Sequence, residues 1–188
     1  MIKEYFKSFN ILSAEDLELL ENQLQPKTLK KGDFFIKAGS VCKEVAFVSS
    51  GFFRSFYLSS SGEEVTYCLM FNHSFITAYS SFITQTATEE NIQALADVEM
   101  MTLSKKAVEQ LENTSSNWMK MMKIMAEREY INLEKRIFLL QRENAEQRYK
   151  NLLANYPEYL KLIPLNYLAS YLGITQRHLS RLRKSVAN

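Results

Sequence analysis

Lys30 to Phe71 reads KKGDFFIKAGSVCKEVAFVSSGFFRSFYLSSSGEEVTYCLMF. Glycines stand at 32, 39, 51 and 62, at intervals of 7, 12 and 11 residues, and only Gly173 lies outside this stretch. Between them run DFFIK, EVAFVS, FFRSFYL and EVTYCLMF, all rich in aromatic and β-branched side chains. Such residues suit a pleated, half-buried surface, and turn signals at this spacing predict an all-β sandwich or barrel. SSSGEE separates two of the runs as a hairpin turn would. NIQALADVEMMTLS (91–104) adds two strands, bending near Ala96-Asp97. The β segment so defined spans Thr28 to Leu103.

On its N-terminal side, SAED from Ser13 resembles a capping box, with Asp16 in the Glu/Gln place. Leu17, Leu20 and Leu24 follow at helical spacing, and Pro26 is compatible with a helix ending just before it. A helix over about 13–24 is predicted. On the C-terminal side the period becomes helical after Ser104. Met122, Ala126, Tyr130, Leu133, Ile137 and Leu140 recur at intervals of three and four, and Trp118, Met121 and Met125 broaden the stripe. Asn113 to Asn117 is a polar, weakly helical spot ahead of a helix of about 25–35 residues, roughly 40–50 Å long. A small domain does not cover such a length. Self-pairing across a two-fold axis is the simplest partner, with Trp118, Met122, Met125, Ala126, Leu133 and Ile137 as the candidate interface.

Composition sets the class. With 46% hydrophobic and 23% charged residues the chain is an ordinary globular one. No apolar run is long enough for a membrane span, and the acid-bearing N-terminus does not read as a secretory signal. Cys42 and Cys68 lack CxxC spacing and read as small buried side chains in a reducing cytoplasm. The net charge of +2 hides an asymmetry: no acid follows Glu158, so residues 159–188 carry +5 and the remainder −3. A basic end on an acidic body points to a polyanion partner.

Spacing within that end is more specific. Asn144 reads as an N-cap with Gln147 three residues on, and AEQRYKNLLANY as a short helix stopped near Pro157. In IPLNYLASYLGITQRHLSRLRKSVAN, Pro164 suits a first helical turn. Leu168, Ala169 and Leu172 would face inward, and Gly173 would supply a left-handed turn residue. Ile174 would plug the turn and Thr175 cap the next helix. Leu179 and Leu182 return to the core. A small residue, a glycine four later and apolar anchors six and nine after the glycine is the order of a helix-turn-helix. The outward residues of its second helix are Gln176, Arg177, His178, Ser180, Arg181, Arg183 and Lys184. Gln176, Arg177 and Arg181 suit base edges. Thr175, Ser180, Arg183 and Lys184 suit phosphates, and His178 either.

With these elements in order, the chain resembles, over almost its whole length, the Crp/Fnr family of bacterial transcription regulators. Gly39, Gly51 and Gly62 match strand turns of that family's cyclic-nucleotide-binding β-roll, and Asn144 its hinge. The resemblance implies an α+β chain. A jelly-roll-like β-roll for effector sensing, with its short N-terminal helix, would occupy 1–104, a dimerisation helix 105–143, and a small all-α helix-turn-helix DNA-binding domain 144–188. It also implies a homodimer reading two-fold-related half-sites about one helical turn apart.

Two departures qualify the likeness. Cyclic-AMP-binding members carry a Gly-Glu pair and then an Arg-Ser pair, which hold the ribose and the cyclic phosphate. The matching residues here are Thr77-Ala78 and Thr88-Glu89, and the Thr-Ser pair that touches the base is matched by Leu133-Glu134. The arginine fork for the phosphate is replaced by Thr88, and Glu89 beside that position would repel an anionic phosphate. The expected effector is therefore not cyclic AMP but an uncharged or cationic molecule near Tyr79, Ser80, Ser81, Thr88 and Glu89, or effector binding has been lost. The second departure is the wing. Family members continue into a β-hairpin after the reading helix, and here Ser185 to Asn188 remain, so no full wing is expected.

The expected partners are double-stranded DNA, a second copy of the chain, RNA polymerase and an unidentified small effector. No cofactor, metal or membrane is expected, and the place is the bacterial cytoplasm. A competing reading keeps the sensing fold as a small-ligand or protein-interaction module without specific DNA binding. An enzyme is not expected: His73 and His178 are the only histidines, fall in different domains, and no nucleophile–base pair stands out.

Overall fold

A computed structural model describes residues 2–186, with the side chain of Val186 left aside. Helices α1 (Ile2–Lys7) and α2 (Ala14–Gln23) precede strands β1 (Gln25–Leu29), β2 (Phe34–Ile36), β3 (Glu44–Ser50), β4 (Phe53–Leu58), β5 (Glu64–Met70) and β6 (Phe75–Ile76). Helix α3 (Tyr79–Thr84) leads to β7 (Asn91–Ala94) and β8 (Val98–Ser104). The rest is helical: α4 (Lys105–Thr114), α5 (Ser116–Arg142), α6 (Ala145–Asn155), α7 (Tyr159–Leu162), α8 (Leu165–Tyr171) and α9 (Gln176–Val186). Among the described residues no helix is long and apolar enough to cross a membrane.

The strands form two four-stranded antiparallel sheets, ordered β1-β8-β3-β6 and β2-β7-β4-β5. The predicted bend at Ala96-Asp97 is where the chain passes from one sheet to the other, because β7 and β8 lie in different sheets. Gly51 stands against that passage at φ +90°, and a Cβ there would lie 2.5 Å from the Asp97 carbonyl oxygen. Phe47, Phe53, Ile76 and Ile92 fill the space between the sheets, each contributing about 1.5–3 kcal/mol by leaving water.

The N-terminal helices close one end. Ser13 and Asp16 form the anticipated capping box of α2. Asp16 also accepts a 2.9 Å bond from Asn117 Nδ2, tying α2 to the start of α5. Burial opposes the Asp16 charge, but the bonds from Asn117, Ser13 and Ser115 outweigh it and hold the carboxyl below its ordinary range. Helix α1 has no counterpart in the sequence expectations. Its Ile2 and Phe6, four residues apart, are buried, and Phe6 meets Trp118 edge-on with ring centres 5.4 Å apart. Six residues are too short a window for a period to stand out.

The weakly helical spot is a true break: Ser115 is extended and its hydroxyl caps α5 through the Asn117 amide. The 27 residues of α5 span about 40 Å. Trp118 and Met121 are sealed in the core of the roll. Trp118 therefore has no surface to offer a second copy, which removes it from the candidate interface. Met122, Met125 and Ala126 are half-buried, the two methionines against the same core. Leu133 and Ile137 are exposed.

Beyond α5, Asn144 and Gln147 form the expected capping box of α6. Tyr149, Leu152, Tyr159, Ile163, Leu168, Ala169, Leu172, Leu179 and Leu182 make a second core, and Leu69 of β5 belongs to it. The C-terminal helices are thus packed onto the outer side of the roll.

Candidate nucleic-acid interface

Pro164, expected in a first helical turn, is the N-cap of α8, one position before Leu165. Leu168, Ala169 and Leu172 are buried. Ile174 donates its amide to the Ala169 carbonyl at 3.0 Å, which folds the chain back sharply at Gly173. Gly173 has φ +67°, a left-handed conformation that strains any L side chain. Thr175 then caps α9, its hydroxyl accepting the His178 amide at 3.2 Å. Leu179 and Leu182 return to the second core. These bonds make α8, turn and α9 a single unit.

The opposite face of α9 is open. Thr175, Gln176, Arg177, His178, Arg181, Arg183 and Lys184 are exposed, and Ser180 is half-buried. Arg177, Arg181, Arg183 and Lys184 form no ion pair among the described residues. The first turn of α9 holds no acid, so nothing offsets the positive end of the helix dipole there. Uncompensated cations gathered on one open surface suit an extended polyanion. The expectation of no full wing rests on Ser185 to Asn188, of which residues 187–188 lie outside the described residues.

Two arginines steady the unit from α5 and α6. Arg148 donates through Nε to the Leu172 carbonyl at 2.9 Å and through Nη1 to the Glu143 carbonyl at 2.7 Å. Arg136 donates to the Tyr171 carbonyl and lies 3.8 Å over the Tyr171 ring. Cations at the carbonyl end of α8 complement its dipole. Neither arginine figured in the sequence expectations, because a long arginine on a helical stretch reads as solvated until its neighbours are known.

The residues anticipated around an effector do not converge. Thr77 Oγ1 donates to the Glu44 carbonyl at 3.1 Å, and Ala78 is fully buried. Ser81 accepts the Cys42 amide at 2.9 Å and donates to the Thr86 carbonyl. Thr88 is buried, its hydroxyl accepting the Glu90 amide at 3.1 Å. Tyr79, Ser80 and Glu89 face solvent, as do Leu133 and Glu134 on α5. The inner-facing polar groups are satisfied within the chain. An open groove of about 540 Å³ borders these contacts, between Phe34 to Lys37 and Ser40 to Glu44.

A polar cluster that sequence reasoning missed does lie in the roll. The Tyr67 hydroxyl donates to the Glu90 carboxylate, with the Ser55 hydroxyl beside both. Burial raises the Glu90 carboxyl pKa against the lowering effect of the Tyr67 and Ser55 bonds. Burial first, and then the Glu90 charge, push the Tyr67 phenol above its ordinary value. Burial, then Glu129 and Glu90, push the neighbouring Cys68 thiol up to about 11, so it stays protonated and unreactive at neutral pH. Its members come from three separate segments, and no spacing in the sequence joins them.

Comparison with known proteins agrees with this architecture. Residues 26–115 match the model of the cyclic nucleotide-binding domain. Among curated proteins none matches in sequence. Of the solved structures, FixK2 from Bradyrhizobium japonicum is similar with a TM-score of 0.76 at 16% identity, over 87% of this chain and 84% of that one. A putative transcriptional regulator of the Crp/Fnr family from Eubacterium rectale gives 0.74 at 18%, over 97% and 87%. The catabolite activator protein of Thermus thermophilus gives 0.60 at 20%, over 94% and 84%. Residues 26–115 form a cyclic nucleotide-binding domain fold, and the chain as a whole shares the fold of structures described as transcriptional regulators.

Proposed function

We propose that the chain is a homodimeric, DNA-binding transcription regulator of the Crp/Fnr type, acting in the bacterial cytoplasm. In this reading residues 1–104 sense, 105–143 dimerise and 144–188 read DNA. Gln176, Arg177 and Arg181 contact base edges, Thr175, Ser180, Arg183 and Lys184 contact phosphates, and His178 serves either. Leu133 and Ile137 lead the dimer contact, flanked by Met122, Met125 and Ala126. RNA polymerase is a further partner. Cyclic AMP is not the effector, because Ala78 and Thr88 stand where its ribose and phosphate would need a carboxylate and a guanidinium.

The observation that carries this reading is the α9 face: a capped helix whose buried side is anchored by Leu179 and Leu182 and whose basic side is without acidic partners among the described residues. The experiment is selection of duplexes from a random pool, followed by a mobility shift with the parent and Arg181→Ala. Loss of a bidentate guanine contact costs about 1–3 kcal/mol of specific binding, with the dimer unchanged. An Arg181→Ala protein that binds the selected duplex like the parent overturns the assignment.

A further inference from the structure

Arg54 is 2% exposed, the second residue of β4. A lone arginine buried in a sheet must be engaged to be tolerated, and this one is hydrogen-bonded through Nε and Nη2 and ion-paired, without a hydrogen bond, through Nη1. Gln93 on β7, directly opposite in register, accepts from Arg54 Nε at 3.2 Å and Nη2 at 2.8 Å. Gln93 is itself held, its amide nitrogen donating to the Gly32 carbonyl at 3.0 Å. Arg54 Nη1 lies 2.7 Å from the Glu64 carboxylate on β5. The planar guanidinium stacks between Phe56, 4.0 Å away, and Tyr167 of α8, 3.6 Å away. Three of these partners are in the sheet. The fourth belongs to the first helix of the helix-turn-helix.

A second contact seals the same junction. Strand β5 is the outer strand of its sheet, so its outward backbone groups have no further strand to pair with. Ser170 of α8 takes that place. Its hydroxyl accepts the Thr66 amide at 2.9 Å and donates to the Glu64 carbonyl at 3.3 Å. Apolar packing continues the seam: Phe71 stacks on Tyr159 with centres 4.2 Å apart, and Phe52 stacks on Phe71 at 5.1 Å. Since α8, turn and α9 move as one unit, whatever fixes α8 against β5 fixes the direction in which α9 points.

We infer that Arg54 is a positioning residue: by clamping Tyr167 while Ser170 staples the β5 edge, it sets the angle of α9 to the roll and hence the half-site spacing that the dimer reads. The inference rests on the DNA-binding reading above. A guanidinium suits the task because its flat face stacks while its rim is bonded in the sheet, a combination that a lysine ammonium does not offer.

The test uses the full chain and duplexes selected by the parent, with the two half-sites moved apart or together by single base pairs. Arg54→Met keeps the length of the side chain and removes the clamp. Ser170→Ala removes the staple at a half-exposed helical position where alanine is well tolerated. The parent binds best at one spacing. Both variants lose roughly tenfold at that spacing and show a flatter dependence on spacing. A residue that only supports the fold would lower affinity equally at all spacings, so a spacing profile unchanged in shape overturns the inference. Hydrogen exchange at the Thr66 amide judges the docking without DNA. It speeds up in Ser170→Ala if α8 sits on β5 in solution, and an unchanged rate overturns the docking. If the parent selects no duplex, the DNA reading falls, and the Thr66 result still decides the docking.

Discussion

The two halves of α5 carry one continuous apolar stripe and meet opposite fates. In the N-terminal half, Trp118 is 1% exposed and Met121 is sealed, and the roll and α1 cover the stripe. The Arg128 guanidinium, 4.3 Å over the Phe9 ring, ties α5 to the segment that joins α1 and α2. Beyond it Tyr130 is 68% exposed and Leu133 55%, and Ile131, Ile137 and Phe138 are also open. Arg136, on another side of the same turns, faces the C-terminal unit. A helical period therefore states that a face will be covered without stating by what. The first half is covered by its own chain. The second half is long, apolar and bare, as a face built for a second copy would be.

Mutations separate the halves. Trp118→Ala should be the most costly, because it opens a cavity in a closed core: about 3–5 kcal/mol, a large share of a typical domain's stability. Denaturant unfolding measures it, and a variant as stable as the parent would mean that this half is not held by the roll. Leu133→Lys with Ile137→Lys should leave the melting of the protomer intact and halve the mass in sedimentation, since two charges on the bare half oppose self-pairing. If the double variant sediments like the parent, the exposed stripe is not the dimer contact.

The smallest expected effect concerns the junction where α5 begins. Asp16 is held below its ordinary carboxylate range in the fold. Its contribution is therefore complete above the unfolded pKa and is lost as pH falls through the ordinary range towards the lower folded value. Asp16→Asn should remove this acid limb from a plot of stability against pH while changing neutral stability modestly. A parent and variant with parallel acid limbs would show that the cap does not depend on the charge.

Elements with strong periodicity or clear punctuation were legible in the sequence. The glycine intervals and aromatic runs define the roll, Ser13 and Asn144 start α2 and α6 as expected, and Gly173 turns the chain between α8 and α9. The short helices α1 and α3 were not, because six residues leave too little pattern to see. Site residues divide the same way. The α9 face follows from one helix and its spacing. The roles of Arg54, Gln93, Tyr167 and Ser170 come from distant segments and exist only when β4, β7 and α8 are brought together. Within FFRSFYL an arginine among aromatics is a polar residue in a strand, and nothing local tells which surface will enclose it.

The sequence by itself determined the strand-rich middle, the long helix, and the two-helix basic end with its inward leucines and outward arginines. These are local matters of period, cap and glycine, and each is settled within a few turns of chain. The tertiary structure alone decided that Trp118 belongs to the core, that the stripe is bare from Tyr130 onward, that the anticipated effector residues are largely bonded within the chain or turned to solvent, and that α8 lies along the β5 edge with Arg54 beneath it. The reason is physical: burial and the satisfaction of buried polar groups depend on residues far apart in the chain, and periodicity carries no information about which distant surface will supply the partner.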